Sequence, residues 1–124
     1  AHKAGEAAGM LDRVRTVKGV SVLASKVDAA DAKALREMAD ALRASLGSGI
    51  VVLGAGQGEK ALILAAVTRD LASRFKAGEI IKKIAPVVGG KGGGKDDLAQ
   101  AGGNAPEKIA EALDLAVSYI EEIG

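Results

Sequence analysis

The residues best suited to chemistry in this chain lie between Gly89 and Gly103, in the stretch GGKGGGKDDLAQAGG. This stretch places Lys91 and Lys95 within a cluster of glycines. Consecutive backbone N–H groups of such segments can form a concavity that binds anions, and lysine adds positive charge. The pattern therefore favours a phosphate-binding loop, although a flexible glycine-rich connection is the other interpretation that it allows.

Two glycine patterns approach nucleotide-binding motifs without matching them. Gly89 to Lys95 has the spacing of a P-loop, but Asp96 stands where the magnesium-binding hydroxyl belongs. The preceding segment, residues 79–88, has helical rather than strand periodicity. The second pattern, IVVLGAGQG from Ile50, has Glu59 at the place of the third glycine of a dinucleotide fingerprint. We therefore predict no nucleotide hydrolysis at the first pattern and a β-hairpin turn at the second.

Composition excludes several classes of site. The 124 residues include one histidine, His2, and no cysteine, so a histidine-based triad, a thiolate metal site and a disulfide framework are improbable or excluded. Asp96 and Asp97 have no third acid placed beside them, and we expect no metal site and no catalytic residue. No window reaches the roughly 18 apolar residues of a membrane span, so we expect a soluble protein, and the lack of cysteine fits a cytoplasmic one.

Charge is segregated along the chain, although its formal sum is +1. Between Arg69 and Lys95, seven Lys and Arg residues stand against two acidic ones. From Asp96 to the end, seven acidic residues stand against Lys108. Such segregation can give a nearly neutral protein a local positive face. We predict one basic face formed by residues 69–95, with the glycine-rich loop at its edge; ordinary helix surface is the alternative.

The apolar periodicity predicts an α+β domain. Apolar and β-branched runs predict three strands, over residues 20–27, 50–53 and 61–67. Regularly spaced apolar residues predict helices over 28–46, over 79–88 and from 106 to the end, with a short turn or helix starting at Thr68. Pro86 is expected to kink or end the second helix. We predict a small mixed β-sheet covered by helices, with the glycine-rich loop at one edge.

The first 17 residues also carry apolar side chains at helical intervals, interrupted by Gly5 and Gly9. A helix of this length is not stable alone in water. We therefore interpret it as an N-terminal helical stub, either the end of a longer helix or a segment that packs on a partner. This divides the chain into a helical segment of residues 1–18 and a globular domain of residues 19–124.

Three stretches together resemble a known family. VGGKGGGKDDLAQAGG, which begins at Val88, is preceded by TRDLASRFKAGEIIKKIA from Thr68 and by VVLG in the second predicted strand. These stretches resemble the C-terminal domain of alanyl-tRNA synthetases, a member of the DHH-associated domain family, from about Gly19 to the end of the chain. The pairing of GGKGGG with AQAGG is specific to this family.

The resemblance implies a function for the domain. In the synthetases this domain binds the outer corner of tRNA and brings the aminoacylation and editing modules onto one tRNA molecule. It implies that this segment has no enzymatic activity and no cofactor, whereas its parent, an alanine–tRNA ligase, would use ATP, magnesium and zinc. It also implies contacts with other domains of the parent, and a homodimer through the helical segment of residues 1–18.

Carried over position by position, the resemblance assigns nucleic-acid contacts to the glycine-rich loop and the cations near it. Lys95 stands where an arginine is common in the synthetases, and Asp96 where proline is common. Phosphodiesterase relatives have histidine at the position of Lys95, which argues against phosphoester hydrolysis. The residues assigned to tRNA(Ala) binding are Gly90, Lys91, Gly92, Gly93, Gly94, Lys95, Lys82, Lys83, Arg74 and Lys76.

Other functions remain open at this point. The chain could be the C-terminal, substrate-binding half of a DHH-type phosphodiesterase, or a structural module that binds no nucleic acid and dimerises its parent. The parent could also be a freestanding alanyl-tRNA editing protein, since such proteins can carry a similar C-terminal domain. Phe75 and Tyr119 are the only aromatic residues, which predicts little base stacking and a modest, strongly salt-dependent affinity for RNA.

Overall fold

In a computed structural model, which describes residues 15–17, 19–27 and 31–123, the centre of the protein is a six-stranded sheet. Its order is β1-β2-β3-β4-β6-β5. The strands are β1 (Arg15–Val17), β2 (Val20–Lys26), β3 (Ile50–Gln57), β4 (Lys60–Val67), β5 (Lys91–Gly94) and β6 (Leu98–Gly103). The sheet is mixed, because β2 and β3 are parallel and the other neighbours are antiparallel.

Helices cover both faces of the sheet. The α-helices in the described residues are α1 (Ala32–Leu46), α2 (Arg69–Ala72), α3 (Ala77–Ile84) and α4 (Ile109–Ile123). Two 3-10 turns accompany them, Ala85–Val88 after α3 and Pro106–Lys108 before α4. The predicted mixed sheet covered by helices is therefore confirmed, and the three strands predicted from apolar runs are β2, β3 and β4.

Consecutive residues of a strand point to opposite faces of the sheet, and the central strands carry apolar residues on both faces. On one face, Leu64 of β4 belongs to a core cluster with Leu35 and Leu42 of α1. On the other face, Ile63 of β4 belongs to a second cluster with Ile84 of α3 and buried residues of α4. The sheet thus separates the α1 side of the molecule from the side on which α3 and α4 lie.

The first long helix begins later than its periodicity predicts. α1 starts at Ala32 and not at residue 28, because Asp31 has an extended backbone and is its N-cap. The Asp31 carboxylate accepts a hydrogen bond from Ala34 N at 2.8 Å. Residues 28–30 lie outside the described part of the chain. Gly47 ends the helix with a φ of +74°, a conformation that glycine adopts without strain.

The IVVLGAGQG pattern forms the predicted β-hairpin. Gln57 of β3 pairs with Lys60 of β4, and the two residues between them make the turn. Gly54 serves packing, because a Cβ at this position would overlap Cγ2 of the buried Ile109 in α4. The glycines of this pattern allow α4 to lie close against β3, and the hairpin prediction is confirmed.

The predicted N-terminal helix falls largely on residues 1–14, outside the described part of the chain. Its last residues, Arg15–Val17, form β1 and pair with β2 across a turn in which Gly19 has a φ of +81°. The helix prediction is therefore wrong for these three residues. In the backbone register of this antiparallel pair, Val17 is the partner of Val20.

The second predicted helix ends as Pro86 requires. α3 stops at Ile84, and Pro86 lies in the first turn of the 3-10 segment that follows. Gly89 ends that segment in the left-handed conformation, with a φ of +72°. α3 starts two residues earlier than predicted, since Ala77 and Gly78 belong to the helix.

Candidate nucleic-acid interface

The glycine-rich stretch is a β-hairpin, here called the glycine hairpin (residues 91–103). β5 and β6 pair antiparallel, with Lys91 opposite Gly102 and Gly94 opposite Ala99, and β6 also pairs with β4. The prediction of a loop is therefore wrong, although its place at one edge of the sheet is confirmed, because β5 is the edge strand. Glycine disfavours strands on its own, so pairing with β4 decides this conformation.

Close approach of backbones explains several glycines of this region. A Cβ on Gly90 would overlap the carbonyl oxygen of Gly102, and a Cβ on Gly103 would overlap the carbonyl oxygen of Val88. A Cβ on Gly94 would lie 2.6 Å from Leu98 O. The close approach of neighbouring backbones therefore explains why these positions are occupied by glycine, and the explanation does not depend on a ligand.

The turn of the glycine hairpin is fixed to the start of α3. Asp96 O accepts a hydrogen bond from Ala77 N at 2.8 Å, and Lys95 O accepts one from Gly78 N at 3.2 Å. Ala77 and Gly78 are the first residues of α3, whose preceding residue, Lys76, makes no side-chain cap. The hairpin turn thus takes the place of a capping side chain, and the N-terminal amides of α3 are occupied by protein carbonyls.

The next carbonyl of the turn is held from the α1 side. Asp97 O accepts hydrogen bonds from Val67 N at 2.9 Å and from Arg43 Nη1 at 3.0 Å. Arg43 also donates to Val67 O at 3.4 Å and forms an ion pair with Asp40 at 2.8 Å. Three consecutive carbonyls of the turn are therefore engaged, which fixes the backbone that carries Lys95.

Two amides of the edge strand point away from the sheet. Lys95 N donates to Leu98 O at 2.9 Å, which makes these residues a hydrogen-bonded pair. Such pairs alternate along antiparallel strands. The N–H groups of Gly92 and Gly94 therefore face outward at the edge, where a phosphate oxygen can approach them.

A groove lies between α1 and the glycine hairpin and is here called the α1–hairpin groove. Its larger part is a cavity of about 430 Å³ lined by Arg36, Asp40, Arg43, Gly93, Gly94, Lys95, Asp97, Leu98, Ala99 and Gln100. A second cavity of about 220 Å³ shares Gln100 with the first and includes Lys91 and Leu62. The groove exists because α1 lies over β4 and its neighbours but leaves β6 and β5 partly uncovered.

The predicted contact residues lie on both sides of the sheet. Lys91 and Lys95 line the α1–hairpin groove. Lys82, on α3, lies beside the edge strand, with its Cε 3.9 Å from the position of a Cβ on Gly93. The chain passes from α3 on one side of the sheet to a hairpin that lines the groove on the other, and the single basic face over residues 69–95 stays a prediction.

The remaining predicted cations do not line the groove. Lys83 on α3 has its Nζ 6.0 Å from the ring centre of Tyr119, and Arg74 has its Cζ 5.0 Å from the ring centre of Phe75. Lys76 is exposed just before α3. Lys76 therefore lies next to the hairpin turn, since the residue after it, Ala77, donates to Asp96 O, whereas Arg74 and Lys83 lie over aromatic rings.

Sequence reasoning missed four polar residues of the groove: Arg36, Asp40, Arg43 and Gln100. Arg36 and Arg43 are seven residues apart and share one face of α1 with Asp40, a spacing that could have indicated a polar stripe beside the apolar one. Gln100 lies on a strand that was not predicted. Nothing in the sequence alone places α1 beside the glycine hairpin.

The opposite side of the sheet carries more negative charge. α4 includes Glu111, Asp114, Glu121 and Glu122 and no basic residue. Burial, together with the charges of Glu79 and Glu122, raises the pKa of Tyr119 above its ordinary value. Lys83 therefore lies among acidic groups and does not form part of a uniformly positive surface.

The chain's single tyrosine allows this environment to be measured. We expect the phenolate absorbance of the folded protein to give a pKa above the ordinary 10.0, and Glu122→Gln to lower it. Since the folded-state pKa is raised, the stability from the neutral phenol is present below pH 10 and is lost as pH rises through the folded-state value. Glu111→Gln is the control, and a midpoint equal to that of the urea-unfolded chain would contradict the expectation.

Asp70 is engaged by hydroxyl groups. Its carboxylate accepts hydrogen bonds from Ser48 Oγ and from Thr68 Oγ1, the latter at 2.5 Å, and these bonds hold its pKa below the ordinary 3.8. Thr68 Oγ1 also accepts a hydrogen bond from Gly49 N at 3.1 Å. This arrangement ties the start of β3 to α2, which is a structural role.

Two classes of site find no support in the described residues. Across residues 15–17, 19–27 and 31–123, no three His, Cys, Asp or Glu side chains are grouped so that they could hold a metal ion. Within the same ranges, no helix has the length and apolar content needed to cross a membrane.

Comparison with known proteins gives the family. The family model described as DHHA1 domain matches residues 19–122. The chain is 49% identical over 119 residues to an alanine–tRNA ligase of Bacillus velezensis, covering 95% of this chain and 14% of that protein. It is 45% identical over 114 residues to an alanine–tRNA ligase of Idiomarina loihiensis, covering 92% of this chain and 13% of that protein. The chain thus spans only about one seventh of the length of these relatives.

Solved structures share the fold. The C-Ala domain of alanyl-tRNA synthetase from Aquifex aeolicus superposes with a TM-score of 0.81 at 29% identity, covering 87% of this chain and 97% of that one. A pGpG-specific phosphodiesterase from Vibrio cholerae gives a TM-score of 0.59 at 14% identity, covering 99% of this chain and 40% of that one. The second likeness concerns the fold alone. The resemblance drawn from the glycine-rich stretch is confirmed, and the chain belongs to the DHHA1 domain family.

Proposed function

We propose that this chain is the C-terminal module of an alanine–tRNA ligase, that it binds the outer corner of tRNA(Ala), and that it helps to couple aminoacylation with editing. Support comes from its similarity to the ligases of Bacillus velezensis and Idiomarina loihiensis and to the C-Ala domain of Aquifex aeolicus. In this proposal ligation, with its ATP, magnesium and zinc, belongs to other domains of a cytoplasmic parent. The homodimer suggested for residues 1–18 involves residues outside the described ranges.

The observation that carries the proposal is the fixed turn of the glycine hairpin. The carbonyls of Lys95, Asp96 and Asp97 are bound by α3, β4 and Arg43, while the side chains of Lys91 and Lys95 are exposed. A fixed backbone that presents cations loses little entropy when it binds. We propose that these lysines and the outward amides of the edge strand hold tRNA phosphates.

Phosphate contacts of this kind position a protein on RNA without reading its sequence. They also release counterions, so that affinity falls as salt rises. If four cations each neutralise one phosphate, the log–log salt slope is about −3 for irregular or single-stranded contacts. The domain would then recognise the shape of the tRNA, while other domains of the parent read its identity.

The test is tRNA binding by a Lys91→Ala/Lys95→Ala variant. We expect its affinity to fall about tenfold and its salt slope to become shallower by about 1.4, because two phosphate contacts are lost. Filter binding over a range of salt concentrations measures both. Lys26→Ala/Lys108→Ala is the matched control, since it removes two exposed lysines that lie off the hairpin.

Equal affinities for the hairpin variant and the wild type would contradict the proposal, as would binding that salt does not weaken. Circular dichroism should show that both double variants stay folded, since all four side chains are exposed. A phosphodiesterase function is less favoured, because Lys95 stands where histidine is typical and the likeness to the pGpG-specific enzyme is distant.

A further inference from the structure

We infer that RNA occupies the α1–hairpin groove, where an unpaired nucleotide lies over Leu98 and Gln100 with its phosphates between Arg36 and Lys95. The inference rests on the proposed function and places the RNA-binding surface on the α1 side of the sheet. Its occupant is a flipped-out nucleotide of RNA, and the side of the molecule formed by α3 and α4 is excluded.

The shape of the groove suits a nucleotide. The larger cavity has a volume of about 430 Å³, within the range of small-ligand sites in proteins. Gly93 and Gly94 line it without side chains, so the strand surface is open to a planar group. RNA-binding proteins commonly take up single unstacked bases in such recesses.

The charges of the groove favour an anion at one end. Arg43 is paired with Asp40, and its Nη1 group is engaged by backbone carbonyls. Arg36 and Lys95 are both exposed, and neither forms an ion pair within the described residues. Of the groove's acids, Asp97 alone is left to offset them. The two unpaired cations therefore give the groove a net attraction for phosphate.

The floor offers apolar surface and a hydrogen-bonding amide. Leu98 is partly exposed and Gln100 is exposed, and both line the groove. An arginine guanidinium stacks on planar rings, so Arg36 can cover a base from the helix side. The Gln100 amide has both donors and acceptors for a base edge. This provides a base contact in a chain with few aromatic residues.

The other side of the sheet lacks these features. Lys83 lies over Tyr119, near Glu79 and Glu122, whose charges disfavour ionisation of that tyrosine. The N-terminal amides of α3 are already bound to the hairpin turn, so they are not available to a phosphate. α4 adds acidic residues beside α3 and would repel an RNA backbone.

Two variants that each remove one exposed positive charge distinguish the two sides. We expect Arg36→Gln in the 124-residue chain to weaken tRNA binding about tenfold, and Lys83→Gln to change it less than about twofold. Filter binding at fixed salt measures both, with melting curves as the check on folding. If Lys83→Gln weakens binding as much as Arg36→Gln, or Arg36→Gln has no effect, the inference is overturned.

This outcome separates the inference from the proposed function. A loss of binding in Lys91→Ala/Lys95→Ala together with no effect of Arg36→Gln would overturn the groove and leave tRNA binding in place. Equal affinity in all variants would overturn both.

A second measurement tests the base contact. Adenosine monophosphate, added to the isotope-labelled chain, should shift the backbone amide resonances of Leu98 and Gln100 and those near Arg36. Inorganic phosphate should shift only resonances near Arg36 and Lys95. Identical shifts from the two probes, or shifts confined to α3 and α4, would overturn the placement of the base.

Discussion

Replacing Gly90 by alanine is expected to lower the free energy of unfolding by roughly 3 kcal/mol, the upper part of the range for overpacked sites. The new Cβ would overlap the carbonyl oxygen of Gly102 on the neighbouring strand. The backbone has little freedom to move away, because Gly90 N donates to Ala85 O at 3.0 Å. Urea denaturation followed by circular dichroism measures the change.

Gly102→Ala is the matched control, since it adds one methyl group to the residue that Gly90 faces. The nearest atom to a Cβ on Gly102 is Ala61 O at 3.8 Å, an ordinary contact. We expect its stability to change by no more than about 0.5 kcal/mol. If Gly90→Ala and Gly102→Ala were equally stable, close backbone approach would not explain why position 90 is occupied by glycine. A role of Gly90 in ligand binding would then be the favoured explanation.

Replacing Arg43 by methionine is expected to cost about 2 kcal/mol of stability, within the range for hydrogen bonds to charged groups. The guanidinium joins α1 to the hairpin turn through Asp97 O and to β4 through Val67 O. Methionine keeps much of the apolar stem and removes the donors. The same variant should weaken tRNA binding, since it loosens the turn that carries Lys95.

Asp40→Asn separates these hydrogen bonds from the ion pair. The side chain of Asp40 is 49% exposed, and exposed ion pairs contribute less than about 1 kcal/mol. We therefore expect Asp40→Asn to leave stability nearly unchanged and not to weaken tRNA binding, since it removes a negative charge from the groove lining. A loss as large as that of Arg43→Met would mean that the ion pair, and not the contacts with the turn, is what matters.

Much of the fold follows from local pattern. β3 and β4 were predictable because their apolar runs are long and a two-residue turn separates them, and α1 was predictable because Leu35 and Leu42 repeat at the helical period. The apolar pattern within each of these elements is enough to identify it as a strand or a helix. Their exact starts depended on single side chains, as Asp31 shows at the N-terminus of α1.

The strands β5 and β6 were not predictable from propensity. β5 reads KGGG and β6 reads LAQAGG, and neither has the β-branched residues that identify strands. They are strands because β6 pairs with β4, a contact between distant parts of the chain. Arg15–Val17 forms a strand, although its spacing favoured a helix, because it pairs with the neighbouring strand β2.

The lysines of the candidate site could be predicted from the sequence, whereas its α1 residues could not. Lys91 and Lys95 were identified because they stand among glycines, a signal confined to one stretch of sequence. Arg36 was missed because its importance depends on where α1 lies relative to the glycine hairpin. Lys83 was included for its charge, and the structure places it beside Tyr119 and the acidic helix α4.

The capping of α3 by the hairpin turn also bears on how the domain opens. Ala77 N and Gly78 N are bonded to carbonyls that lie 19 and 17 positions further along the chain, Asp96 O and Lys95 O. The helix therefore loses its N-terminal hydrogen bonds whenever the hairpin detaches from the sheet. The helix and the hairpin should thus unfold and refold as one cooperative unit, and RNA bound at the hairpin would slow hydrogen exchange in a helix that it does not touch.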